Sequence, residues 1–142
     1  LELDIQILGR IIGVDYGKVR TGISVTDPLQ IIVTGLNTIE TKNFHEFIRN
    51  YVAQESVDKI VFGKPTHKDG NPTYLWTEIL QKVDEIKKIY PNIAIDYEDE
   101  ALTSVDARSI LFQTSSKKKR RDKKNVDKVS AVLILQKYLG HI

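Results

Sequence analysis

Cysteine is absent from this 142-residue chain, so it has neither a disulfide framework nor a thiolate metal site. Its three histidines, His45, His67 and His141, are scattered without ligand spacing, which argues against a zinc centre. Only four prolines interrupt the chain, and no apolar run approaches the ~20 residues that a membrane span needs. The opening Leu1-Glu2-Leu3-Asp4 has neither the basic region nor the apolar core of a secretory signal. No G-x-x-x-x-G-K-[ST] phosphate loop occurs. These absences lead to the expectation of a cytoplasmic protein without membrane attachment. Methionine is also missing, and nothing functional follows from that.

What is present is ordinary in amount and uneven in placement. Hydrophobic residues make up 41% and charged residues 28%, enough for one domain with a real core over residues 1–142. The net charge is +2, yet Lys117-Lys118-Lys119-Arg120-Arg121-Asp122-Lys123-Lys124 alone carries +6, which leaves the remainder at −4. A basic patch on a mildly acidic body is what a polyanion-binding protein would show. The same run also suits a solvated loop, expected over residues 114–124, and residues 1–9 read as an N-terminal extension.

Hydrophobic periodicity predicts an α/β chain. Arg10 to Asp15 reads as a buried strand ending in an acid. Thr21 to Thr26 alternates, and Ile31 to Ile39 is rich in β-branched residues. Short turns between the three favour an antiparallel meander. A helix follows over Asn43 to Gln54, with Thr41 or Asn43 as its cap, then a short apolar strand at Lys59 to Gly63. The next helix runs from Tyr74 to Ile89 and a fifth strand from Ile93 to Tyr97. A helix over Thr103 to Phe112 and a last one over Asn125 to Leu139, packed through Val126, Val129, Val132 and Leu133, complete the order βββαβαβαα. Strand–helix–strand crossovers imply parallel pairing, hence a mixed five-stranded sheet with helices on both faces.

In open α/β sheets, sites gather at the carboxyl ends of parallel strands. Asp15 ends the first strand, Glu98, Asp99 and Glu100 follow the fifth, and Asp127 lies in the first turn of the last helix. Converging carboxylates are what Mg²⁺ or Mn²⁺ requires, because these hard ions prefer oxygen and keep positions for water and phosphate. Each acid also has a structural reading: Asp15 as a turn former, Asp127 as a partner of the helix dipole, the acidic triplet as a solvated strand end. Arg20 suits a phosphate contact or a pairing with Asp27 or a site acid. Gly17 suits a turn with φ > 0 and Gly22 a close backbone approach.

Four ordered blocks carry a resemblance. They are G-V-D-Y-G-K-V-R-T-G-I-S-V-T-D-P-L at 13–29, Gly63, Pro65 and Gly70 in G-K-P-T-H-K-D-G, D-E-A-L-T-S at 99–104, and V-D-K-V-S-A-V-L-I-L-Q-K-Y-L at 126–139. Together they resemble the YqgF family, also called RuvX and Holliday-junction-resolvase-like. The resemblance implies an RNase H-like fold and a hydrolase with Asp15, Glu100 and Asp127 as an acidic triad binding Mg²⁺ or Mn²⁺. It implies phosphodiester cleavage in 5′-end processing of precursor 16S ribosomal RNA, in which water attacks the phosphate in line and leaves 5′-phosphate and 3′-hydroxyl ends. Resolution of branched DNA is the alternative. Nucleic acid, RNA before DNA, is the implied partner of a monomer or homodimer, with Lys18, Arg20, Lys117, Lys118, Lys119, Arg120, Arg121, Lys123 and Lys124 as its contacts. The chain departs from the family pattern at Ala101, where the family has Arg, at Lys64, where an apolar residue is usual, and at Glu98, an additional acid. Ala101 keeps a second reading open, a nucleic-acid-binding protein of the same fold with impaired catalysis. A nucleotide-clasping protein of the actin and sugar-kinase class is a third, though it needs two such lobes.

Overall fold

The computed structural model describes residues 9–65, 74–99 and 123–142, with side chains from Lys128 onward in the last segment. Strands β1 (Arg10–Asp15), β2 (Arg20–Thr26) and β3 (Val33–Glu40) are followed by helix α1 (Phe44–Gln54), strand β4 (Val57–Lys64) and helix α2 (Leu75–Ile89). Strand β5 (Ala94–Asp99) and helix α3 (Lys123–Tyr138) follow, and a short 3-10 turn at Thr41–Asn43 leads into α1. The expected helix at Thr103 to Phe112 lies outside the described residues.

The strands form one mixed sheet in the order β3-β2-β1-β4-β5. The first three are antiparallel, whereas β4 runs parallel to both β1 and β5. Alternation along β1 sends Ile12 and Val14 to one face and Ile11, Gly13 and Asp15 to the other. On the first face, Ile12, Val14, Ile23, Ile60 and Phe62 pack with Phe44 and Ile48 of α1 and Ile79, Val83 and Ile86 of α2, all buried. On the second, Ile11 and Val61 pack with Ile134 and Leu135 of α3. Helices on both faces are thus what the crossover argument predicts.

The boundaries move for identifiable reasons. β3 begins at Val33 rather than Ile31, because the Asp27 carboxylate accepts the N–H groups of Ile31 and Ile32, both at 2.7 Å. Those donors are therefore unavailable to the ladder. Thr41 does not cap α1: its hydroxyl donates to the Gly17 carbonyl at 2.7 Å and lies 2.8 Å from the Thr21 hydroxyl. Asn43 stands at the N-cap without a side-chain cap bond. β5 extends through Glu98 and Asp99, so these acids belong to the strand instead of following it. The last helix begins at Lys123, which puts Lys123 and Lys124 in its first turn and not in a loop.

Helix α3 lies across the sheet. Gly35, Ser24, Gly13, Val61 and Asp96 form one row of register partners through all five strands. Lys128 and Val132 lie over Gly35, the Ser24 hydroxyl donates to the Ala131 carbonyl at 2.7 Å, and Leu135 lies over Gly13. At the far end the Tyr138 hydroxyl donates to Asp96 at 2.7 Å and accepts from Lys59 at 2.6 Å. This bond from Tyr138 is the main cause that holds the Asp96 carboxyl below its ordinary range. The buried residues of α3 are Ser130, Ala131, Leu133, Ile134 and Leu135. Leu133 is buried and Val132 packs over Gly35, as expected, whereas Val129 is only partly buried and the side chain of Val126 lies outside the described residues. The run V-S-A-V-L-I-L is apolar nearly all round, so periodicity does not select its buried face.

Candidate active site

Asp15 closes the central strand β1 at the carboxyl end of the parallel half of the sheet. Its partner on β2 is Gly22. On the β4 side, one residue beyond the Val14–Phe62 pair, stands Gly63, whose own partner on β5 is Glu98. The Asp15 carboxyl is therefore flanked on both neighbouring strands by residues without side chains. Asp15 and Glu98 share the α3 face, two strand spacings or about 10 Å apart at the backbone. Asp99 has the opposite parity, on the face of Tyr97's neighbour α2, and its carbonyl accepts from Lys137 of α3 at 2.8 Å.

The other expected site residues are placed as follows. Asp127 is the fifth residue of α3, in its second turn and not its first. Ser130 Oγ is buried and has no hydrogen-bond partner among the described residues. Glu100 and the bases Lys117, Lys118, Lys119, Arg120 and Arg121 lie outside the described residues, as do Ala101 and the side chains of Lys123, Lys124 and Asp127. Among the described residues no three acids or histidines converge as a metal site. Arg20 opens β2 opposite Glu40, whereas Asp27 follows the other end of that seven-residue strand. The Arg20–Asp27 pairing is thereby excluded, since the two lie roughly 20 Å apart along the strand.

Gly17 is required for a reason other than the expected one. Its φ is not positive; a Cβ there would meet the Arg20 carbonyl oxygen at 2.3 Å. The turn carrying Lys18 and Arg20 past Asp15 thus closes so tightly that a side chain would force it open.

Sequence reasoning left out an aromatic group beside this site. Lys64 ends β4 with its Nζ 5.2 Å from the centre of the Trp76 ring, and Trp76 meets Tyr97 of β5 edge-on at 5.1 Å. Lys18 reaches over Tyr74, at 5.7 Å. The signals were Lys64 at an ordinarily apolar position and the spacing Tyr74-x-Trp76 at the head of a helix.

Comparison with known proteins is decisive at the level of family. Residues 9–141 match the family described as "RuvX: Holliday junction resolvase". The chain belongs to the RuvX family. A relative from Porphyromonas gingivalis is 45% identical over 135 residues, covering 94% of this chain and 98% of its own. One from Bacteroides fragilis is 42% identical over 133 residues, 93% and 96% of the two chains. A third, from Flavobacterium psychrophilum, is 41% identical over 132 residues, 92% and 96%. All three carry the name "Putative pre-16S rRNA nuclease". The mixed sheet, its antiparallel meander and the helices on both faces are the RNase H-like fold of this RuvX chain.

Proposed function

We propose that this RuvX-family chain is a metal-dependent nuclease that trims the 5′ end of precursor 16S ribosomal RNA in the cytoplasm. The observation that carries the reading is the Asp15 carboxyl at the end of the central strand, flanked by Gly22 and Gly63. Carboxylate oxygens suit Mg²⁺ or Mn²⁺, and Asp15 with Glu100 and Asp127 would hold the ion. When bound, the metal supplies water activation and neutralises charge on the phosphate. The chain's own part is to fix the Asp15 carboxyl on the central strand and to hold the Lys18–Arg20 turn beside it. The basic run at 117–124 would follow the substrate backbone.

The test is a matched panel of precursor ribosomal RNA, linear duplex and four-way DNA junction, each with and without Mn²⁺. Cleavage of the precursor RNA that depends on the metal is expected. Asp15→Asn should lower it at least ~100-fold, beyond the loss typical of an outer partner of a metal ligand. Undiminished cleavage by Asp15→Asn would overturn the assignment, and preferential cutting of the junction would replace the RNA reading with a branched-DNA one.

A further inference from the structure

The Lys–aromatic group beside the candidate site has no part in holding a metal. Alternation along β4 puts Lys64 on the α2 face, with Ile60 and Phe62, and along β5 puts Tyr97 there with Ile95. The edge-on contact with Tyr97 fixes the Trp76 ring, so that it presents one defined face, the one over which Lys64 lies. Tyr74, two residues earlier, is 68% exposed and has Lys18 above its ring. Lys18 belongs to the turn that follows Asp15, and Lys64 to the strand beside Asp15, so the group stands at the same sheet end, on the face opposite the Asp15 carboxyl. Neither lysine forms an ion pair among the described residues.

One lysine over one ring is an ordinary surface contact, worth about 0.5–1 kcal/mol. Two pairs drawn from three separate segments, with ammonium groups in no ion pair among the described residues, have the composition of a surface that binds unpaired nucleotides. Bases stack on aromatic faces whatever their identity, and phosphates take the cations. Continuous duplex cannot use such a surface, because its bases are already stacked on one another.

We infer that Tyr74 and Trp76, with Lys18 and Lys64, form a platform for a single-stranded segment adjoining the cleavage site. A base stacks on the open face of Tyr74, and a second displaces Lys64 from Trp76 as the lysine swings to a phosphate. The substrate class is then nucleic acid with an unpaired flank, in place of uninterrupted duplex. The inference rests on the nuclease reading only in taking nucleic acid as the ligand.

Trp76 is the chain's one tryptophan, so its fluorescence reports on the platform directly. The full chain is titrated in chelator with a labelled single-stranded RNA of about 12 nucleotides, within the usual footprint of such surfaces, and with a blunt RNA duplex of equal length. Anisotropy reads binding and Trp76 emission reads stacking. The single strand is expected to quench Trp76, and the duplex to leave it unchanged. Tyr74→Ala should weaken the single strand about tenfold, Tyr74→Phe should restore it, and duplex affinity should not move. Lys64→Gln should weaken the single strand and flatten its salt dependence. Single-strand binding without quenching, or with Tyr74→Ala as tight as the parent, overturns the platform and leaves the nuclease reading standing. Equal quenching by duplex overturns the selectivity. Binding of neither RNA at low salt overturns the platform together with nucleic acid as the ligand.

Discussion

Asp27 accepts three backbone N–H groups, from Ile31 and Ile32 at 2.7 Å and from Leu29 at 3.2 Å. These bonds, that from Ile32 first, hold its carboxyl below the ordinary range. A carboxyl whose folded-state pKa is depressed stabilises the fold above its unfolded value, near pH ~4, and loses that contribution as pH falls through the folded value. The melting temperature of the parent chain should therefore fall on acidification below about pH 4. Asp27→Asn should melt lower at neutral pH and lose less over the same acid range, because an amide oxygen cannot gather three donors as a carboxylate does. Thermal melts between neutral pH and the acid range check this; parallel pH profiles for the two proteins would refute it. That Asp27-Pro28 closes the second strand was readable. That the ring of donors around Asp27 would also delay β3 was not, because the donors are backbone groups that every residue has.

α3 gains its position from small residues. A Cβ at Gly13 would come 2.4 Å from Ser24 Oγ and 2.5 Å from Leu135 Cγ. Gly13→Ala should therefore lift α3 off the central strand and destabilise the fold by about 1–3 kcal/mol, the usual cost of forcing a methyl group into a packed interior. Denaturant unfolding measures the change, and a stability equal to the parent's would show that the helix yields without cost. The same element shows where local pattern runs out. β1, with its apolar run ending in an acid, was legible residue for residue, whereas the face that α3 buries depends on which strand each turn crosses. Gly13 and Gly35 are 22 positions apart in the chain, and only the pairing of β1 with β2 and β2 with β3 aligns them under one helix.

For the whole molecule, charge and site lie on different parts of the chain. The run at 117–124 carries +6 against −4 elsewhere, so nucleic-acid affinity should fall steeply with salt. Neutralising Lys117, Lys118, Lys119 and Arg120 to Gln should lower the slope of log K against log salt by up to ~4 for duplex and somewhat less for a single strand. Filter binding over a salt series reads it, and an unchanged slope would remove this segment from the interface. The amino-acid sequence by itself determined the RuvX membership, the three-strand meander, the alternation of strands and helices and the acid at the end of β1, because these rest on local periodicity and contiguous motifs. Tertiary structure decided what stands beside that acid. Gly22 and Gly63 come from antiparallel and parallel neighbours, and Glu98 shares the Asp15 face through β4. It also separated Arg20 from Asp27 by the length of β2 and gathered Lys18, Lys64, Tyr74 and Trp76 beside the same sheet end. Strand register is set by cross-chain hydrogen bonding and burial, and a neighbour fixed by register has no signature in the residues adjacent to it in sequence.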